Sequence, residues 1–214
     1  MRRRGLNGVL WDLRRSLLES RCLADFAYRS YAPAGTRAGP AISIRQRDSV
    51  AEIAYLKAFL AWEAFLEQSF VLYLVGRKPG RGRPPHRYTF PPTQKCALEW
   101  VAEGRRFAEW TKVEDVSSRA ERFFRDGRPF TPVLNGNRSA LDEMRTIRNA
   151  VAHASSSAQE RFEEIARQRI GALPPGLTVG AFLLMTVPHS TLPNSFLEHY
   201  IAKLEFAAER IVPA

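Results

Sequence analysis

Residues 48–76, DSVAEIAYLKAFLAWEAFLEQSFVLYLVG, constrain the fold of this chain more than any other stretch. Apolar side chains fall on nearly every side of a helix drawn through them, and such a helix must be surrounded by other elements. The segment therefore predicts a central, largely buried helix, capped by Asp48 or Ser49 and closed by Gly76. Glu63 and Glu67 interrupt its apolar character. A carboxylate in these surroundings either finds a cationic partner or shares an exposed strip with its neighbour, and both placements are open.

The rest of the chain supplies elements to cover that helix. Apolar positions recur at helical spacing over 9–28, 140–154, 158–170 and 195–211, with shorter helices at 95–103 and 116–125. Clusters of Pro, Gly and Asn mark loops at 31–41 and at 126-DGRPFTPVLNGN-137. The run 177-LTVGAFLLM-185 fits a buried helix or a strand equally well. No internal repeat is visible. The expectation is an all-α bundle forming a single domain over 1–214. Residues 77–95, RKPGRGRPPHRYTFPPTQK, are a long, basic Pro/Gly-rich loop insertion within it.

Charge narrows the partners. The chain carries 32 Lys and Arg against 22 Asp and Glu, a net charge of +10. Lysine occurs only at 57, 78, 95, 112 and 203, so arginine supplies nearly all of the excess. That balance favours polyanions, because each arginine fork placed on a phosphate releases condensed counterions. A GC-rich coding sequence enriches arginine too, without any functional demand. Cys22 and Cys96 lack metal-ligand spacing and read as buried thiols of a reducing compartment. Asp12, Arg14 and Arg15 break the apolar run that an export signal would need after the basic start. The longest apolar stretch, near 177–187, falls short of the ~20 residues of a membrane span. A cytoplasmic protein with no membrane partner, no metal and no cofactor is expected.

The stretch 144-MRTIRNAVAHASSS-157 carries the candidate chemistry. On a helix capped by Asn137 or Ser139, Ala140, Met144, Ile147 and Val151 form a core-facing stripe. Arg145, Asn149 and His153 follow at i, i+4 and i+8 as a second stripe, with Arg148 on the border, so all four address one groove. Arg148 and His153 stand ~7.5 Å apart along the axis and ~140° around it, too far to close on one phosphate from one straight helix. A symmetry-related copy would bring a second set opposite the first. The same residues also have a purely structural reading. A histidine in a last turn complements the helix dipole, and arginine stems cover core edges.

Arg148-Asn149-Ala150-Val151-Ala152-His153 resembles the signature of the HEPN superfamily: arginine, a polar residue, a short spacer and histidine near the end of a core helix. The preceding 141-LDEMRTI-147 fits, and 54–76 is similar to the family's other central helix. The likeness is greatest to the stand-alone RiboL-PSP-type branch and is specific over 54–76 and 134–153, under half of the chain. It implies a HEPN-like helical bundle that forms a homodimer. It also implies a metal-independent endoribonuclease, used as a toxin or anti-phage effector and restrained by an antitoxin protein. Arg148 and His153 would be the catalytic pair, with Asn149 as the polar residue after the arginine. Arg145 and Glu63 would support them, Glu63 by fixing the Arg148 fork. RNA brings its own nucleophile, the 2′-hydroxyl, and an imidazole exchanges protons near neutral pH. The expected product is a 2′,3′-cyclic phosphate.

Two competing readings use the same positive charge. Arg81-Gly82-Arg83-Pro84 resembles an AT-hook, which lies in the minor groove of A·T-rich DNA. On that reading Arg81, Arg83 and Arg87 contact DNA; the reading favoured over it is a basic loop that guides RNA toward the shared groove. Tyr88 and Phe90 either stack bases or anchor the loop. A non-catalytic nucleic-acid-binding or adaptor protein of HEPN-like fold is the second alternative. Ser155 to Ser157 lack a nucleophile-elbow pattern, and 80-GRGRPP-85 lacks the spacing of a phosphate loop. His86, His189 and His199 stand isolated in the sequence.

Overall fold

The computed structural model describes residues 5–31, 41–106, 108–153, 155–188 and 194–214. Its helices are α1 (Leu6–Ser30), α2 (Ile44–Leu74), α3 (Gln94–Ala102), α4 (Val113–Phe123), α5 (Phe130–Gly136), α6 (Arg138–Ala152), α7 (Ser156–Ile170), α8 (Val179–Leu184) and α9 (Phe196–Ile211). A 3-10 turn, Arg125–Gly127, lies between α4 and α5. Among the described residues no strand forms, and pairing of strand type is confined to isolated bridges between Arg87 and Phe124 and between Thr186 and Ser195. The all-α expectation is met. Most of the predicted loop at 31–41 lies outside the described residues, as do residues 1–4 and His189.

The central helix is four residues longer at its start than its sequence suggests. Neither Asp48 nor Ser49 caps it. Ser43 and Gln46 form a reciprocal capping box: the Ser43 N–H donates to Gln46 Oε1 at 2.8 Å and the Gln46 N–H to Ser43 Oγ at 3.3 Å. At the other end Gly76 takes φ +87°. Its N–H donates to the Tyr73 carbonyl, and that of Arg77 to Leu72, both at 2.9 Å, which closes the last turn as predicted. Residues 130–136, read from the sequence as loop, are helical. Pro132 sits in the first turn of α5, where its missing N–H would have had no acceptor, and Phe130 and Leu134 are buried. Asn137 joins α5 to α6, its side-chain amide donating to the Val133 carbonyl at 2.8 Å.

The chain divides into two compact units, each built from segments distant in sequence, and α1, α2, α6 and α9 contribute residues to both. The first comprises Met1–Arg15, Ala61–Asp142 and Leu204–Ala214. Phe70 is its aromatic centre, with ring centroids of Trp110, Phe123, Phe124 and Phe130 at 5.4, 6.0, 5.0 and 5.0 Å. Glu67, one of the two interrupting carboxylates, is half-buried here and accepts the Trp110 indole N–H at 2.9 Å.

The second unit comprises Ser16–Leu60 and Glu143–Lys203. Phe162, Phe182, Phe196 and Tyr200 stack through its core, the tightest pair being Phe182 and Phe196 at 4.3 Å. The ambiguous run becomes α8, capped by the Thr178 hydroxyl, which accepts from the Ala181 N–H at 3.0 Å. Asp48, expected as a helix cap, instead accepts from Thr178 Oγ1 at 2.7 Å and from Arg47. The Gly180 N–H donates to Glu52 Oε1 at 3.0 Å. Burial pushes the Glu52 carboxyl up, against the lowering effect of the Gly180 N–H, and nearby Asp48 adds to the rise. A carboxyl raised in the fold contributes stability below its ordinary range and loses it as pH rises through its folded value. Glu52→Gln keeps an oxygen for Gly180 and carries no charge. It is expected to raise the unfolding midpoint at pH 7, with the gain over wild type shrinking as pH falls into the carboxylate range.

The cysteines depart from expectation: Cys22 is exposed on α1 and Cys96 half-buried on α3. The stripe on α1 that faces inward is filled by Leu13, Leu17 and Ala24, which leaves position 22 outside. No described helix is long and apolar enough to cross a membrane.

Candidate anion cleft at the junction of two helices

Helix α6 is placed by its apolar side. Leu141, Met144 and Ile147 are buried, while Ala140 and Val151, expected in the same stripe, are only half-buried. The larger Leu141 takes the position foreseen for Ala140, turning the buried face slightly. Within the second unit the helix is then held by polar bonds. Arg169 of α7 sets its fork on Glu143, with Nε donating to Oε1 at 2.9 Å and Nη2 to Oε2. The Tyr200 hydroxyl of α9 donates to the same carboxylate, and that of Tyr55 donates to the Met144 carbonyl at 2.7 Å.

These bonds set the electrostatics of the support. Burial, then the Glu143 charge, pushes the Tyr200 and Tyr55 phenols well above the ordinary range, so both stay protonated donors. The hydrogen bond to Glu143 raises Arg169. Burial, and then Lys203 and Arg169, push His199 below the ordinary imidazole range. Protonating it therefore costs stability as pH falls through the imidazole range. Glu143 has only 9% of its side chain exposed and Arg169 has 46%. Tyr200→Phe, which takes one of three bonds from a nearly buried carboxylate, is expected to cost about 2 kcal/mol in denaturant unfolding. Arg169→Ala, which leaves that nearly buried carboxylate without its cation and takes two bonds from it, should cost at least as much, about 2–3 kcal/mol. Nothing in the sequence singled out Tyr55, Glu143 or Tyr200, because their pairing joins positions far apart along the chain.

α6 ends at Ala152, with the His153 N–H still donating to the Asn149 carbonyl at 2.9 Å. Two residues later Ser155 caps α7, its hydroxyl accepting from the Ala158 N–H at 3.3 Å. The serines that close the motif thus begin the next helix. Between the two helix ends lies a cleft of about 230 Å³, lined by Arg145, Asn149, His153, Ser155, Ser157 and Arg161, with Thr146 and Ala158. Its lining contains two arginines and an imidazole and no carboxylate. The N-terminus of α7 adds partial positive charge, and the first N–H groups of a helix have no intrahelical acceptor. Half-buried Arg145 has its Nε enclosed with no hydrogen-bond partner among the described residues. The arrangement suits a phosphate oxygen.

The sequence-predicted residues separate into distinct places. Arg145, Asn149 and His153 share the cleft as the helical spacing foresaw. Arg148 does not line it. It is half-buried on the core side and reaches the cleft through Asn149, whose Oδ1 accepts from Arg148 Nη1 at 3.3 Å. The angular gap between positions 148 and 153 is the reason. Glu63 is half-buried in the first unit and is not part of the cleft lining. Arg161 was missed. It stands one turn beyond Ser157 on α7, and only the recognition of Ser155 as a cap would have pointed to it.

The basic insertion is folded against the first unit. Arg81 N–H donates to the Pro213 carbonyl at 3.1 Å, Tyr88 N–H to Phe123 at 3.0 Å, and Arg125 N–H to His86 at 3.0 Å. Arg87, expected to contact nucleic acid, donates from Nη1 to the Leu74 carbonyl at 2.9 Å and lies 4.9 Å from the Phe90 ring centroid. Its guanidinium covers Gly76, where a Cβ would approach Nη1 to 2.9 Å. Arg87 is a cap for the C-terminus of α2. A minor-groove peptide must present a free extended edge, and this loop would have to release those bonds first. Tyr88 and Phe90 remain exposed.

Among the described residues no group of three or more His, Cys, Asp or Glu is arranged to hold a metal ion. No protein-family model, curated protein or solved structure matches the chain.

Proposed function

We propose that the chain is a metal-independent endoribonuclease of HEPN type, working at the α6–α7 cleft. The observation that carries this reading is the lining itself: Arg145, Asn149, His153 and Arg161 around one helix N-terminus, without a carboxylate. Arg145 and Arg161 bind the scissile phosphate. His153 takes the proton of the 2′-hydroxyl as its oxygen attacks phosphorus. The bond from phosphorus to the 5′-oxygen breaks, leaving a 2′,3′-cyclic phosphate and a 5′-hydroxyl strand. Arg148 acts through Asn149, holding its amide oxygen so that its NH₂ group faces the phosphate.

The departing 5′-oxygen needs a proton as well. Among the described residues one protomer's cleft holds one imidazole and no carboxylic acid, so a second copy that brings its own His153 completes the acid–base pair. Large apolar side chains left exposed along α1, among them Trp11, Leu18 and Phe26, fit a chain that self-associates. The biological setting implied is that of a toxin or anti-phage effector held in check by an antitoxin protein. Incubating purified protein with a defined RNA in EDTA, then reading the termini by mass spectrometry, tests the chemistry. Cyclic phosphate ends support it, and an intact RNA at all protein concentrations would refute it.

A further inference from the structure

A larger concavity than the α6–α7 cleft lies in the first unit, and the nuclease reading makes no use of it. Residues 79–86 of the basic loop form one wall of a cavity of about 620 Å³. The opposite wall comes from the turn before α5 and its first residues, and from the end of α9 with Pro213. That volume is in the range of small-molecule sites. The loop is held in place by the Arg81–Pro213 and Arg125–His86 backbone bonds, so the wall exists before any ligand arrives.

The walls are rigid and apolar. Pro79, Pro84 and Pro85 face Pro129, Pro132 and Pro213 around the cavity, and rings with a fixed φ lose little freedom when a ligand packs on them. Buried Tyr73 backs the floor of the cavity, its hydroxyl donating to the Ile211 carbonyl at 2.8 Å. A bare inorganic anion would gain nothing from such surfaces. A planar or apolar ligand body would.

Cations gather on the same cavity: Arg81, Arg83, Arg125, Arg128 and Arg210. All are exposed, and among the described residues none makes an ion pair with a carboxylate. Arg14, Arg47, Arg122, Arg138 and Arg169 do. The one carboxylate on the cavity, Asp126, is held in left-handed backbone at φ 55°. Gly127 beside it tolerates no side chain, since a Cβ would lie 2.1 Å from Thr131 Oγ1. The turn that presents Asp126 is therefore fixed. Arginine forks recognise phosphate oxygens, and a lone carboxylate among them accepts hydroxyl or amino donors.

We propose that this cavity binds a phosphate-bearing ligand with a planar body, a nucleotide, free or at a strand end. The arginines take the phosphates, the proline faces take the base, and Asp126 accepts from the sugar or base. This site is independent of the α6–α7 cleft and of the nuclease reading.

Calorimetric titration of the full chain tests it with adenosine and guanosine triphosphates, inorganic tripolyphosphate and a 5′-phosphorylated oligodeoxyribonucleotide, which lacks the 2′-hydroxyl needed for cleavage. A nucleoside triphosphate should bind at least about tenfold more tightly than tripolyphosphate. Arg125→Ala with Arg128→Ala, both at exposed positions, should weaken it at least about tenfold. Asp126→Asn keeps a residue that tolerates the left-handed turn. It should weaken nucleoside triphosphate while leaving tripolyphosphate unchanged or tighter. Arg161→Ala, in the other cleft, should leave the nucleoside triphosphate titration as in wild type, whatever it does to oligonucleotide binding. Tighter binding of the triphosphate identifies a free nucleotide, and tighter binding of the oligonucleotide a strand end. Saturation by none of the probes overturns the proposal. So does equal affinity for tripolyphosphate, or binding that Arg161→Ala removes and the double variant keeps. Unfolding midpoints of each variant, read alongside, separate lost contacts from lost folding.

Discussion

In a ribonuclease assay containing EDTA, His153→Ala is expected to lower cleavage by about a thousandfold, within the range that a positioned proton-transfer group contributes. Among the described residues His153 is the only imidazole in the cleft lining, and no carboxylate is there to replace it. The variant should fold normally. The side chain is exposed, and the backbone bond from residue 153 to the Asn149 carbonyl does not depend on it. Arg148→Ala should lower cleavage by about a hundredfold, since it loses the bond that holds Asn149 Oδ1. Arg148→Lys restores charge without the planar fork and should recover only part of that loss. Sedimentation of the active protein should show a dimer. A fully active monomer would remove the shared-site chemistry. Equal degradation by wild type and His153→Ala would mean that the nuclease is a contaminant.

Gly180→Ala should be the most damaging single methyl in the second unit, costing about 3 kcal/mol in denaturant unfolding. A Cβ there would meet Asp48 backbone atoms at 2.1, 2.5 and 2.6 Å. Backbone cannot swing aside as the tip of a long side chain can. Moving α8 away from the start of α2 would also stretch the Gly180–Glu52 and Thr178–Asp48 hydrogen bonds. Against a total stability of about 5–15 kcal/mol, such a loss puts folding at moderate temperature at risk. Gly136→Ala is the control. No atom lies within 4 Å of its added Cβ, so the change should stay within about 1 kcal/mol. Equal midpoints for the two variants would contradict the close approach of α8 and α2.

Several features were legible because they depend on neighbours along the chain. Apolar spacing sets which side of a helix is buried, so the helices over 48–76 and 140–154 and the shared stripe of Arg145, Asn149 and His153 were foreseen. Gly76 was foreseen as a helix stop because a left-handed residue is needed there whatever packs around it. Local signals also misled. Pro and Gly near 126–137 suggested loop, yet burial of Phe130 and Leu134 outweighs weak propensity over so short a segment. Ser43 was passed over as a cap in favour of Asp48, whose carboxylate is taken by Thr178, 130 positions away.

An arginine-rich, all-helical chain with a buried central helix and a polar stripe ending at His153 can be read from the residues alone. Those properties follow from composition and helical periodicity, which need no knowledge of what lies opposite. Three-dimensional packing makes 179–184 helical, sets Arg87 as the cap of α2, and brings Arg161 to the cleft while Arg148 stands behind Asn149. It also turned the basic loop into the wall of a cavity. Each of these depends on a partner distant in sequence, and one-dimensional periodicity says which way a side chain points but not what it meets.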